Sequence, residues 1–307
     1  MQAITYTSAH ADRWNNFILT ANNGSFLFHR QYMEYHADRF ADASLLLESR
    51  GKLVAVLPAH HREGVVCSHE GLTFGGLILR PKVNLHLVNQ AVDAALQHYR
   101  SEGFQALRYN PMPFIYFQRP TQEDLACLLQ RGAKLVQHKI SCVASAGTQA
   151  SATTQRNIRS ARLSGITIAP WSNLGEFYQM LTTWLQHRHE AKPVHSLAEL
   201  SLLRDRFPEN ILIRAAWKDG KPVSATMTFA HPTCLRLQYA ACTDDGFKHH
   251  AGKAVDSHLL QSLRPGTWLD FGTSMHPSTG ELNASLHLSK ELLGGRTLLQ
   301  NTYEIPL

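Results

Sequence analysis

Long apolar runs are missing from this sequence, and with them any stretch able to span a bilayer. No basic, apolar leader with a small-residue cleavage site follows Met1, so a cytoplasmic protein without stable membrane insertion is expected. The five cysteines, at positions 67, 127, 142, 234 and 242, form no Cys-x-x-Cys pair and no disulfide-like framework. They fit a reducing compartment and the role of small core residues. Charge is sparse at 18% of residues and never gathers into a long run of one sign. The net charge of +6 admits an anionic partner without indicating nucleic acid. A metal is not expected either, despite eighteen histidines. His60-His61, His187 with His189, and His249-His250 are adjacent or i,i+2 pairs, whereas a helical zinc site needs i,i+4.

What is present is enough chain for two domains. The 307 residues, 44% hydrophobic, suit two cores of roughly 150 residues each. The organising stretch is residues 267–296. Trp268 and Leu269 start a short buried strand that carries Asp270 at its C-terminal end, where α/β sheets present chemistry, and Gly272 breaks it. Ser278 and Glu281 have capping-box spacing for a helix over 279–293. Leu282, Leu286 and Leu293 mark its apolar face, and Gly294-Gly295 its stop. Residues 296–305 read as a last strand, with Leu299, Tyr303 and Ile305 in alternation. Asp270, Lys290 and Glu291 are the polar groups out of place in such a unit, and they either pair structurally or form a site.

The two halves repeat an architecture without repeating letters. Each reads as a helical start, three antiparallel-type strands, helix, strand, helix, strand. In the first half, helices are expected at 9–20, 30–40, 84–100 and 121–131. Strands are expected at 44–48, 53–59, 65–68, 104–109 and 135–143, with a glycine-interrupted strand at 68–79. Residues 144–150, small and polar, read as the crossover. In the second half, Arg156, Arg159 and Arg162 stripe a helix over 153–165; such a stripe is either a solvated face or an RNA-binding one. A short strand at 166–169, a helix at 173–189 and a Ser196/Glu199 capping box precede strands at 211–217, 223–230 and 235–242. The turns correspond: Arg50-Gly51-Lys52 in one half and Asp219-Gly220-Lys221 in the other, both hairpin signals. A helix over 251–263 follows.

This order of elements resembles the GNAT acyltransferases, and its doubling resembles their FemAB-like branch over nearly the whole length. The carrying stretches are residues 26–40, 68–79, 153–166, 192–203, 238–254 and 269–295. The resemblance implies an α/β fold with mixed sheets, in which two tandem GNAT-like N-acyltransferase modules, 1–147 and 148–307, pack around a cleft. It also implies acyl-CoA or aminoacyl-tRNA as co-substrate, with no tightly bound cofactor. The acceptor would be an amine on a small-molecule or lipid- or nucleotide-linked glycan, or on a peptidoglycan precursor, with charged tRNA as a possible partner. In such folds the donor pantetheine lies between two splayed strands and its pyrophosphate sits on a helix N-terminus, where free N–H groups stabilise an anion. The matching positions are Gln238, Tyr239 and Ala240 on the strand, then Lys248, Gly252, Lys253 and Ala254 in the loop and helix start. His249 stands where the family has Gln or Arg.

N-acyl transfer needs a neutral amine, a polarised carbonyl and a proton acceptor near neutral pH. Asp270 and His69 are the candidate bases, with Lys290 and Glu291 brought back toward Asp270 by the helix. Thr73, Phe74, Gly75 and Gly76 would line an acceptor groove, joined by Arg159, His195 and Ser274. The alternative is a non-catalytic module that binds a glycan or nucleotide sugar with the same fold. The oligomeric state is left open.

Overall fold

Matching hairpins lie in the two halves of the chain. Arg50 and Gly51 have φ of 51° and 74°, and Asp219 and Gly220 have φ of 50° and 74°. Positive φ at both central residues is what a two-residue loop needs to join right-twisted strands. The first turn joins Leu45–Ser49 to Lys52–Leu57, and the second joins Ile211–Lys218 to Lys221–Ala230. The computed structural model describes residues 1–189, 191–276 and 279–307. The chain divides into one unit of Met1–Lys139 with Leu299–Leu307 and another of Ile140–Leu298.

In the first unit, Gln2–Thr5, Leu45–Ser49, Lys52–Leu57 and Ile78–Leu79 lie side by side, all antiparallel. A second group has Val65–Cys67 parallel to Ala106–Tyr109, which pairs in turn with residues 303–306 at the end of the chain. His60–Arg62 pairs with the other edge of Val65–Cys67. The helix Leu85–Ser101 starts at Asn84, whose Oδ1 accepts from the Leu87 amide at 3.0 Å, satisfying an amide with no partner inside the helix. Val88, Ala91, Val92, Ala95, Leu96 and Tyr99 recur at helical spacing and bury one face in a core shared with Leu45, Leu47, Ala55 and Leu57. Each fully buried Val or Leu there contributes roughly 1.5–3 kcal/mol.

The second unit is a single run of strands in the order Thr167–Pro170, Ile211–Lys218, Lys221–Ala230, Cys234–Cys242, Trp268–Thr273 and the end of Lys134–Ser145. Only Cys234–Cys242 and Trp268–Thr273 are parallel, and the helix Ala251–Gln261 connects them. That helix buries Ala254, Val255 and Leu259 against Ala216, Val223, Leu269 and Phe271. Among the described residues no helix is long and apolar enough to cross a membrane, and all five cysteines are free.

Three expectations fail locally. The helix expected over 30–40 is only Arg30–Met33 followed by a 3-10 turn, Glu34–His36. Here Arg30 is drawn inward: its guanidinium sits 3.6 Å from the centre of the Tyr6 ring and bonds Asp42 at 2.5 Å and Glu34 at 3.0 Å. Strand residues 144 and 145, expected in the crossover, instead complete Lys134–Ser145 and pair with Leu269 and Trp268. The strand expected over 68–79 shrinks to Ile78–Leu79, because His69 and Gly76 take φ of 66° and 85° and turn the chain. Gly75 bridges to Pro111, and a Cβ built on it would lie 1.7 Å from the Ser68 carbonyl oxygen. The close approach that glycine permits here is backbone on backbone. Gly75→Ala should therefore destabilise the protein by about 3 kcal/mol or more, a loss expected from overpacking that backbone cannot relieve. Denaturant unfolding of the two proteins measures it, and equal midpoints would refute the steric account.

Candidate functional site

The strands Cys234–Cys242 and Trp268–Thr273 pair only at Cys234–Trp268, Leu235–Leu269 and Arg236–Asp270, and beyond Arg236 they part. At that last pair Arg236 Nη1 donates to Asp270 Oδ2 at 2.5 Å. Asp270 is 0% exposed, and its other oxygen accepts from the Gly272 amide at 2.7 Å. Lys290, also buried, donates from Nζ to the carbonyls of Gly272 (2.9 Å) and Thr273 (2.7 Å) and to Ser274 Oγ (3.1 Å). Burial brings the Lys290 ammonium down to about 8. Ser274, fully buried, meets His287 Nδ1 at 3.1 Å, and His287 Nε2 reaches Thr297 Oγ1 at 3.0 Å and lies 3.9 Å from Glu291.

Asp270, Lys290 and Ser274 therefore meet at one turn, as expected, but the charge partner of Asp270 is Arg236 and not Lys290. The expected role of Asp270 as proton acceptor does not fit a carboxylate with no exposure, bonded through both oxygens. Likewise Ser274 has no exposed surface with which to hold an acceptor. The helix that carries Lys290 is Ala284–Leu292, capped by Asn283, whose Oδ1 accepts from the Leu286 amide. The Ser278 of the expected capping box lies outside the described residues. Leu282 and Leu286 are exposed, and the buried side chains of the helix are His287 and Lys290. Of the expected apolar face only Leu293 is buried, because the inward side of the helix itself is polar and is satisfied by the turn at 272–274.

Between the end of Cys234–Cys242 and the start of the helix Ala251–Gln261, a mostly apolar cavity of about 340 Å³ opens. Trp184, Thr226, Ala240, Phe247, Gly252 and Asp256 are among the residues that line it, together with His250 and Lys253. The helix Ala251–Gln261 begins here after His250, which takes a left-handed φ of 56°. Gly252 and Lys253 thus lie in the first turn, where amides lack intrahelical partners, although the Gly252 amide is engaged by the Cys242 sulfur. Ala254 is buried behind them, and Lys248 is exposed on the preceding short helix. His249 turns away to Lys218 Nζ (3.3 Å) and Asp245 (3.5 Å). The pairing of Cys234–Cys242 with Lys221–Ala230 slips at Gln238, whose neighbours Tyr239 and Leu237 face Met227 and Thr228. Tyr239 Oη lies 2.6 Å from Nδ1 of buried His195, so these two hold each other. A neighbouring hollow of about 610 Å³ shares Trp184 and Cys242 with the cavity and adds Met180, His187 and Arg188.

Asp256 was missed in the sequence. Burial raises its carboxyl from 3.8 to about 7, against the pull of Lys290. The signal for it was its i,i+4 relation to Gly252 and i,i+3 relation to Lys253, which sets all three on one helix face. The remaining candidates lie elsewhere. Arg159 is exposed beside Arg162 at another second-unit hollow, of about 530 Å³. In the first unit His69 is buried among His36, His60 and Phe40, with ring centres 5.2–5.5 Å away. Burial, with His60, His36 and Arg30 adding to it, pushes the His69 ring down to about 2, so it cannot take a proton near neutral pH. Phe74 packs on Tyr116 and Phe28 in the core, and Gly76 is closed in by Tyr109. Thr73 lines a cavity of about 440 Å³ shared with Cys67, Glu70 and Arg108.

No known family profile matches the sequence, and no curated protein is detectably similar to it. Solved structures are similar. FemX aligns over 100% of this chain and 98% of its own at 12% identity, with a TM-score of 0.71. The DUF2156 C-terminal domain assigned to a lysylphosphatidylglycerol synthetase of Agrobacterium fabrum aligns over 97% and 92% at 13% identity, TM-score 0.61. A tandem GNAT protein from the clavulanic acid pathway aligns over 99% and 98% at 11% identity, TM-score 0.52. The chain thus has a FemAB-like, double GNAT-like α/β fold with mixed sheets.

Removing the Asp270 charge should leave the Arg236 guanidinium without its buried counter-ion. Asp270→Asn is expected to cost roughly 3–5 kcal/mol of stability, the usual cost of breaking a buried pair on one side. Thermal melting alongside turnover of the same preparation tests this. An unchanged melting temperature with turnover abolished would restore Asp270 to a catalytic role.

Proposed function

We propose that the protein is an N-acyltransferase, moving an acyl or aminoacyl group from an activated donor to an amine. The observation that carries this reading is the cavity beside residues 240–242, beyond the last pairing of Cys234–Cys242 with Trp268–Thr273. It combines a mostly apolar wall, a helix N-terminus and a carboxyl whose pKa lies near neutrality. The shared fold of FemX and the tandem GNAT protein supports a transferase. The tandem GNAT protein is described in a form without AcCoA, and the other relative is assigned to a lysylphosphatidylglycerol synthetase. Acyl-CoA is the donor this cavity suits, with aminoacyl-tRNA as the rival. The acceptor is an amine on a cell-envelope glycan, lipid-linked or nucleotide-linked, or on a peptidoglycan precursor.

The chemistry follows from the groups present. The donor pantetheine lies along Gln238, Tyr239 and Ala240, where the strand edge has no partner on the parted side, and free amides polarise the carbonyl. The pyrophosphate sits at the helix start with Lys253, and Lys248 lies nearby in sequence. Asp256, ionised above about pH 7, takes the proton as the amine attacks. The new C–N bond forms, the C–S bond of the thioester breaks, and the proton ends on the departing thiolate. Arg236, Asp270 and Lys290 hold the strands and the 272–274 turn in place.

Turnover with acyl-CoAs and amino sugars, read by thiol release, is the primary test. An acyltransferase releases thiol from at least one donor. Failure to bind or turn over any acyl-CoA, with transfer from charged tRNA, moves the donor to tRNA, and failure with both leaves a binding module.

Gly252→Val should weaken CoA binding without unfolding the protein. A Cβ at Gly252 meets Ser224 Oγ at 3.6 Å, an ordinary contact, while the added methyl groups crowd the phosphate position. Calorimetric titration that finds equal affinities would move the donor site elsewhere.

Asp256 gives a prediction with opposite signs for rate and stability. Between about pH 4 and pH 7 the unfolded carboxyl is ionised while the folded one holds its proton, so stability falls as pH rises through this window. Asp256→Asn removes that penalty. It should raise the melting temperature at pH 8, lower turnover by about 100-fold or more, and erase the rise in rate near pH 7. A variant with wild-type turnover would exclude Asp256 as the base.

A further inference from the structure

We propose that His60, Cys67 and Glu70 of the first unit form a binding site for a zinc-type divalent cation. Their ligand atoms, one from each residue, all lie within 4.8 Å of one another. The trio is not made by any of the histidine pairs visible in the sequence. His60 and Cys67 are directly opposed in register on the paired strands His60–Arg62 and Val65–Cys67, and Glu70 follows three residues later. The hairpin thus delivers two ligands on rigid backbone and the third on the turn that leaves it.

His60 is 2% exposed, yet its Nδ1 is buried without a partner, and its Nε2 lies 3.8 Å from Glu70 Oε2, too far for a hydrogen bond. That spacing is what an ion held between them requires. Ligands 2.0–2.3 Å from a tetrahedral centre sit roughly 3.3–3.8 Å apart. The Glu70 side chain is half-exposed and can rotate to close the wider of the three separations. Its other oxygen, Oε1, faces Arg108 Nη1 at 3.5 Å, and Arg108 is itself bonded to Glu304 at 3.0 Å. The guanidinium therefore orients the carboxylate from behind, and Glu304 balances its charge, which is the part outer residues play around metal ligands.

The donor set selects the ion. One imidazole, one thiolate and one carboxylate match zinc or cobalt better than magnesium or calcium, which prefer oxygen alone. The Cys67 thiol hydrogen-bonds to Glu70. Binding replaces the thiol proton with the cation, releases it to solvent, and leaves thiolate and carboxylate to neutralise the two charges. Cys67 and Glu70 both line the 440 Å³ cavity, with Ser68, Thr73 and Asn110, so the fourth position of the ion opens into it. A water or an oxygen of a bound molecule would complete the sphere.

Cobalt(II) titration of the full-length protein tests this, because a thiolate ligand gives a sulfur-to-cobalt charge-transfer band that histidines alone do not. The wild type is expected to show the band at one equivalent, to release one proton per ion, and to lose the band when zinc is added. Cys67→Ser should abolish it. Glu70→Gln, on an exposed side chain that does not threaten folding, should weaken binding by at least ~10-fold. No sulfur band in the wild type at equimolar cobalt, or a band that survives Cys67→Ser in a protein with an unchanged melting curve, would overturn the proposal.

Discussion

The pairing of Arg236 with Asp270 is the constraint on which the second unit depends. It falls on the last residue pair joining two parallel strands, so its energy is delivered where hydrogen bonding stops. Strands that separate must end their pairing somewhere, and loose ends would fray. A short charge-assisted bond between buried groups, with the carboxylate's second oxygen tied to the Gly272 amide, fixes that end. Lys290 then donates to the carbonyls of Gly272 and Thr273 in the turn that follows. The network explains why Asp270 and Lys290 sit in an otherwise apolar strand-turn-helix unit. They hold the parting of the strands in place.

The same low-dielectric surroundings act differently on Asp256. It has no guanidinium against it, so desolvation dominates and its carboxyl stays protonated well above the usual acid range. Two aspartates in one unit are thus set apart by their partners: Asp270 is held by Arg236 and the Gly272 amide as structure, and Asp256 titrates near neutrality at a cavity wall. A proton acceptor for an amine has to lie in that second condition.

Local signals were legible where local physics decides. Arg50-Gly51 and Asp219-Gly220 announce their turns because each demands positive φ at two successive positions. The helix Leu85–Ser101 follows from its apolar spacing and its Asn84 cap. Tertiary arrangements were not legible. The glycines at 75 and 76 read as room for a ligand, whereas Ser68, Tyr109 and Pro111 of the same unit fill that space. The leucine stripe at 282 and 286 read as a core face, but the buried face carries His287 and Lys290 because carbonyls and hydroxyls of the preceding turn wait there. His60 and Cys67 are seven residues apart, and only the hairpin register, which spacing alone does not give, sets them opposite each other. Asp256 was not singled out, since neither desolvation nor a cavity can be read from spacing.

The last strand, Arg296–Pro306, begins in the second unit and finishes in the first, where Ile305 joins the core and residues 303–306 pair with Ala106–Tyr109. The first unit is therefore discontinuous in sequence. As the chain emerges from a ribosome, its first 139 residues must wait for the final nine, with one edge of Ala106–Tyr109 unpaired for the whole time the second unit is being made. The unit synthesised first is the unit completed last, and for that interval an unpaired strand edge, the feature most prone to mispairing, is open to other chains.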